Sequence, residues 1–252
     1  MNVELLDHQP NALELLIYTK NTRLQGNESL ESILAWPMER KLEELEYIFT
    51  TIQSSWEFVR YTFLITGVSR AFTHQLVRTR HGSYAQESQR AVDMRGASFL
   101  IPVSADKEWE DDMAHAMGAY SMAMDRGMPP QDARGLLPTN VHTSIIAAFT
   151  LRGLHDMGLT RLCTRTQGEY QDVFREMKAR VVSIHPWTER FIRVACAQTG
   201  VCIFPRYTEC PIQPLTYNGA RPGAHKAKLE DIAVVAETVR HEAVVRAKGG
   251  RT

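Results

Sequence analysis

Residues 59–90 read VRYTFLITGVSRAFTHQLVRTRHGSYAQESQR, and three patterns follow one another along them. From Val59 to Thr66, Val59, Tyr61, Phe63 and Ile65 alternate with Arg60, Thr62, Leu64 and Thr66, the two-residue repeat of a strand with one buried face. Gly67 and Ser69 then open a helix that runs through Arg70, Phe72, His74 and Leu76 toward Arg78. From Arg78 to Arg90 too few apolar residues remain for a core element, and Gly82 lies near the start. That segment is expected to be a loop feeding a short strand.

Outward from this stretch helical spacing dominates. Leu42, Leu45, Ile48, Phe49 and Ile52 mark an amphipathic helix over 38–52. A helix is expected over 108–126, with Met113, Met117 and Met122 filling gaps along its buried side, and Pro129 and Pro130 begin another. Helical periodicity returns from Gly153 to Val181 and from Pro186 to Ala197. A proline-rich turn region, Thr199 to Gly223, precedes a last helix, Leu229 to Val245, and the basic tail RAKGGRT. Many helices with few strands indicate the α+β class.

The chain has 252 residues, 44% of them hydrophobic, enough for one large domain or two tightly packed ones. Lys and Arg number 29, as do Asp and Glu, and the pI is near 7.1, which argues against a surface built to attract nucleic acid. Phosphate binding must therefore be local. The beginning MNVELLDHQP lacks the features of a secretory signal, and no apolar run approaches a membrane span, so a cytoplasmic protein is expected. A zinc site can be drawn on His185, Cys196, Cys202 and Cys210. Its gaps are irregular and lack a C-x-x-C pair, so no metal is expected, and free thiols are expected for these and for Cys163.

The chemistry concentrates around the loop. Gln75 and Arg78, three apart, would share a helix face, Arg80 follows, and Ser88 and Arg90 would point the same way on extended chain. Guanidinium forks match phosphate oxygens, and a hydroxyl and an amide add orienting hydrogen bonds, so a small phosphorylated ligand suits this set.

Arg78-Thr79-Arg80, then Ser88 and Arg90, resembles the signature of the flavin-dependent thymidylate synthases, and TGVSRAFTHQLV resembles the helix that precedes it. MPPQDARGLLP is similar to a family stretch that places Arg134 four before Pro138, and Arg152 and Arg161 fall at further family arginine positions. The resemblance covers about residues 1–195 and leaves 196–252 as a C-terminal extension. It implies a central, mostly antiparallel sheet flanked by helices, and a homotetramer with active sites shared between subunits. It also implies FAD, with NADPH and methylenetetrahydrofolate as co-substrates, and methylation of C5 of deoxyuridine monophosphate without a cysteine nucleophile.

By the same resemblance Gln75, Arg78, Gln86, Ser88, Arg90 and Arg134 would bind the nucleotide. Arg161 would act catalytically, facing the pyrimidine and favouring its N3-deprotonated form. Ser54, Arg78, Thr79, Arg80, Gln86, Arg152 and Asp156 would face FAD. The departures collect on the flavin side: Thr79 replaces a histidine, Ile52 and Phe58 replace two more, and Thr150 and Asp156 replace asparagines. Two other readings stand beside this one. One is a related C5 modification, such as hydroxymethylation of the uracil or cytosine nucleotide; the other is a nucleotide-binding paralogue without catalysis.

Overall fold

The computed structural model describes residues 1–51, 53–204, 206–207, 209–216 and 229–240. Four strands, β1 (Asn2–His8), β2 (Arg60–Ser69), β3 (Ser83–Gln86) and β4 (His142–Thr150), form one antiparallel sheet in the order β1-β2-β4-β3. The fold is α+β. β2 is flanked on both edges, and Tyr61, Phe63 and Ile65 are wholly buried on its inner face, as the alternation predicts. Thr143, Ile145, Ala147 and Phe149 do the same for β4. The β2–β4 register shifts between Ile65 and Val68, where Gly67 takes φ 63°, a backbone state that costs glycine little. The strand therefore runs on to Ser69, beyond the Thr66 that the alternation marks.

The helices are α1 (Ala12–Arg23), α2 (Leu30–Leu34), α3 (Met38–Thr50), α4 (Arg70–Leu76), α5 (Lys107–Asp125), α6 (Pro130–Ala133), α7 (Leu151–Arg161), α8 (Gly168–Ile184), α9 (Ala195–Thr199) and α10 (Leu229–Thr238). Ser69 caps α4, its Oγ accepting from the Phe72 N–H at 3.0 Å. On α3, Leu45 and Ile48 face the core, whereas Leu42 is exposed. The buried stripe includes Lys41 instead, whose ammonium is held by Glu14 at 2.6 Å and the Leu34 carbonyl at 3.1 Å. On α5, Met113 is buried but Met122 is 57% exposed, so only part of the expected methionine face packs.

The largest correction concerns the helix expected from Gly153 to Val181. It is broken between Arg161 and Gly168, where Thr166 Oγ1 donates to the Thr160 carbonyl at 2.7 Å and the Gln171 amide to the Leu162 carbonyl at 3.2 Å. Side chains thus satisfy carbonyls that a continuous helix would have paired with backbone. Likewise 186–197 is a 3-10 turn, Pro186–Phe191, followed by the short α9.

The main core joins the inner sheet face to α1, α3, α7 and α8, and takes in Ile232 and Ala236 of α10. Arg175 fastens α10 by donating to the Ala236, Glu237 and Val239 carbonyls at 2.7–2.9 Å, a cation on the last carbonyls of a helix. α10 starts at the expected Leu229 and ends at Thr238; residues 217–228, at the end of the expected turn region and before that helix, and 241–252, which hold the end of the expected last helix and the basic tail, lie outside the described residues. A smaller core of Met94, Tyr120, Ala123, Ala133 and Val141 carries the segment that ends at Arg134. Among the described residues no helix is long and apolar enough to cross a membrane.

Candidate active site

The signature loop is held from behind. After α4 the chain closes three tight turns, Arg78 N–H to the Gln75 carbonyl, Thr79 to Leu76 and Gly82 to Thr79, at 3.0–3.2 Å. The Tyr84 hydroxyl donates to the Thr79 carbonyl at 2.7 Å, and its ring meets Phe149 edge-on at 5.8 Å. A Cβ on Gly82 would come within 2.4 Å of the Tyr84 hydroxyl and 2.6 Å of the Phe149 ring, so only glycine lets the loop lie this close. Because α4 stops at Leu76, Arg78 leaves the helix and does not share a helical face with Gln75. Arg78 and Arg80 project outward, and among the described residues neither they nor Arg90 nor Arg134 has a carboxylate partner.

On one side of α4 lies a hollow of about 520 Å³ lined by Arg70, His74, Gln89, Asp132 and Arg134. Arg70 is half-buried and donates to the Glu87 carbonyl at 3.1 Å. Burial, and then the neighbouring Arg134 cation, lower its pKa. Two guanidiniums repelling each other beside a cavity make a place where an anion is stabilised. The Gln89 amide nitrogen is buried without a partner among the described residues, a further donor. Ser88 and Arg90 flank it on a turn and not on extended chain: Ser88 Oγ accepts from the Arg90 N–H at 3.3 Å, and the Ser88 carbonyl from Ala91 and Val92. Gln75 bonds to Gln167, and the Gln86 amide is spent on Thr73 Oγ1 at 2.8 Å.

A second hollow, about 560 Å³, is lined by Thr51, Ser54, Glu57, His81, Arg152 and Asp156. Here the guanidinium is already paired. The Arg152 Nε donates to both oxygens of Asp156 at 3.0 and 3.1 Å. Thr150 caps α7 through Gly153 N–H at 3.1 Å and donates to Glu57 at 2.9 Å. Thr150 and Asp156, two of the replaced positions, thus bind their own neighbours. Phe58 is exposed, and Ile52 lies outside the described residues. Behind this hollow His155 Nδ1 bonds the Phe191 carbonyl at 2.7 Å and its ring meets Trp56 edge-on; burial lowers its pKa.

Arg152 and Arg161 sit at opposite ends of α7. Nine residues give two and a half turns and about 14 Å of rise, so the two face different sides. The break after Arg161 lets its guanidinium lie 4.4 Å above the Tyr170 ring. Tyr170 is wholly buried, and its hydroxyl lacks a hydrogen-bond partner among the described residues, which costs about 1–3 kcal/mol. Burial raises its pKa, so it stays a neutral phenol.

The structure therefore brings Arg134 to the first hollow, Ser54, Arg152 and Asp156 to the second, and Thr79 and Arg161 to Tyr170. Arg70, His74, Gln89 and His81 line the hollows without having been singled out from sequence. The Arg70–His74 pair, four apart on one helix, was a legible signal; His81 and Gln89 carry none beyond adjacency to the loop. His185, drawn above as a zinc ligand, bonds Tyr61 at 2.9 Å. Among the described residues no group of three or more His, Cys, Asp or Glu is arranged to hold a metal ion, and the four cysteines are free.

A family model described as thymidylate synthase complementing protein matches residues 4–187. The flavin-dependent thymidylate synthase of Geobacter sulfurreducens is 40% identical over 214 residues, covering 80% of this chain and 90% of that protein. That of Pyrococcus furiosus is 34% identical over 222 residues, 80% of this chain and 89% of the relative. Among solved structures, a flavin-dependent thymidylate synthase from Helicobacter pylori complexed with FAD and dUMP superposes with a TM-score of 0.66 at 17% identity. It covers 77% of this chain and 100% of its own, a likeness of fold.

Proposed function

Since the chain belongs to the flavin-dependent thymidylate synthase family, we propose that it methylates C5 of deoxyuridine monophosphate to give thymidylate, with FAD as cofactor. The observation that carries this reading is the set of guanidiniums, Arg78, Arg90, Arg134 and half-buried Arg70, none of them in an ion pair among the described residues, around one loop and one hollow that Asp132 also lines. Charges that the fold leaves unmatched are stabilised by a ligand that supplies the opposite sign, and a phosphate monoester does so with oxygens the forks can grip. Ser88 and Gln75 add neutral hydrogen bonds that orient it.

Arg161 has the catalytic part. Its permanent cation, set over the Tyr170 face, favours the N3-deprotonated pyrimidine and so raises electron density at C5. The second hollow fits the polar edge of a flavin: Ser54 and Arg152 offer a hydroxyl and a guanidinium, and His81 an imidazole, around an open cavity. A flavin held there would supply the reducing equivalents for the methylation. Thr79, Arg80 and Gln86 extend that surface along the loop. Asp156 holds Arg152 in place and competes with a ligand for it.

The finer terms of the reading are methylenetetrahydrofolate as carbon donor, NADPH as reductant, a cytoplasmic site of action and a homotetramer. Both hollows are open at the surface, which supports completion of each by a second copy. The domain reading stays at 1–195 with 196–252 as extension. The test is incubation with 5-tritiated deoxyuridylate, methylenetetrahydrofolate, FAD and NADPH. Release of tritium to water with formation of thymidylate is expected; retention of all tritium overturns the reading. The mass of the product separates methylation from hydroxymethylation, and the deoxycytidylate substrate run in parallel separates the two bases.

A further inference from the structure

Tyr170 stands between the signature loop and the end of α7. Its ring is packed edge-on against Phe72 at 5.0 Å, and one face carries the Arg161 guanidinium. Its hydroxyl adjoins both Thr79 and Arg161, each of which favours its ionised form, yet neither meets it with hydrogen-bond geometry. The reason is directional. A cation over the ring face meets the π-cloud, whereas the hydroxyl lone pairs lie near the ring plane, so one guanidinium does not serve both at once. A phenylalanine would fill the same ring space without burying an unpaired hydroxyl. The hydroxyl is therefore a vacancy in the hydrogen-bond pattern beside a donor, Arg161, that has N–H groups to fill it.

We propose that Tyr170 is a positioning residue for Arg161: when nucleotide enters, the guanidinium slides from the ring face to the ring edge, donates to the Tyr170 hydroxyl, and is fixed with its remaining N–H groups toward the pyrimidine. Thr79 closes the other side of the hydroxyl, so the same contact ties the nucleotide side to the signature loop. This rests on the functional reading above, in which Arg161 faces the base.

The test compares the full-length, FAD-loaded protein with its Tyr170→Phe variant. Deoxyuridylate affinity is measured by calorimetry, and N3 ionisation of bound 5-fluorodeoxyuridylate is followed by ultraviolet absorbance against pH. In the variant, nucleotide affinity is expected to fall about tenfold and N3 of the bound analogue to ionise at higher pH, while the thermal midpoint of the nucleotide-free protein stays or rises. In an Arg161→Lys background the further effect of Tyr170→Phe is expected to vanish, since the partner is gone. A lowered thermal midpoint with wild-type affinity and wild-type N3 titration would make the hydroxyl a packing feature and overturn the inference. So would an equal Tyr170→Phe effect in the Lys background. Wild-type protein that binds no deoxyuridylate overturns the functional reading and this inference with it, a result distinct from either.

Discussion

Around Arg134 two guanidiniums, Arg134 and Arg70, repel each other beside a cavity and neither makes an ion pair among the described residues, although Asp132 lines the cavity and Glu87 lies near Arg70; around Arg152, the guanidinium is already paired with Asp156, with Glu57 tied to Thr150. The difference is one of unfinished against finished electrostatics. The repulsion between Arg70 and Arg134 stands until a bound anion relieves it, so anion affinity is expected to be salt-sensitive there. In the finished hollow a ligand must first displace an internal partner, and its affinity is reduced by what that partner was worth.

The largest expected effect tests the first half of this contrast. Arg134→Ala removes a charge-assisted phosphate contact worth about 1.5–3 kcal/mol, so deoxyuridylate affinity measured by calorimetry is expected to fall about 10- to 150-fold with FAD binding little changed. Equal losses for both ligands would erase the division between the hollows. A smaller effect of opposite sign tests the second half. The Arg152–Asp156 pair is largely exposed and worth about 0.2–1 kcal/mol, so Asp156→Asn is expected to tighten FAD binding up to about fivefold, read by flavin fluorescence. Weaker FAD binding in that variant would mean that Asp156 is needed to hold Arg152 for the ligand.

The smallest effect is on stability. Burial holds the folded-state pKa of His155 below its usual value near 6.5, so the folded chain resists a proton that the unfolded chain accepts. Its contribution is complete above about pH 6.5 and is lost as pH falls below it. Thermal midpoints are expected to drop from pH 8 toward pH 5.5, and His155→Gln to flatten part of that slope; an unchanged slope would show that His142 and His185, shifted in the same direction, account for it.

β2 could be read from its alternation, because period two forces every second side chain onto the face that the sheet buries, and Tyr61, Phe63 and Ile65 are wholly buried. The helix cap at Ser69 was legible for a similar local reason. The break between α7 and α8 was not, since the apolar spacing continues through it; Thr166 and Gln171 break it by satisfying carbonyls from side chains six and nine residues away in sequence. Without the break Arg161 would not end a helix above Tyr170.

Sequence alone determined which residue types are present, the periodic face of β2, the Ser69 start of α4, and the run from Arg78 to Arg90 that carries the family signature, because these depend on near neighbours along the chain. Only the tertiary structure decided which arginines stay unpaired and which meet a carboxylate. Arg134 and Arg70 are 64 residues apart, while the fate of Arg152 turns on one helical turn, and electrostatic energy depends on separation in space and on burial, neither of which is written in the order of the residues.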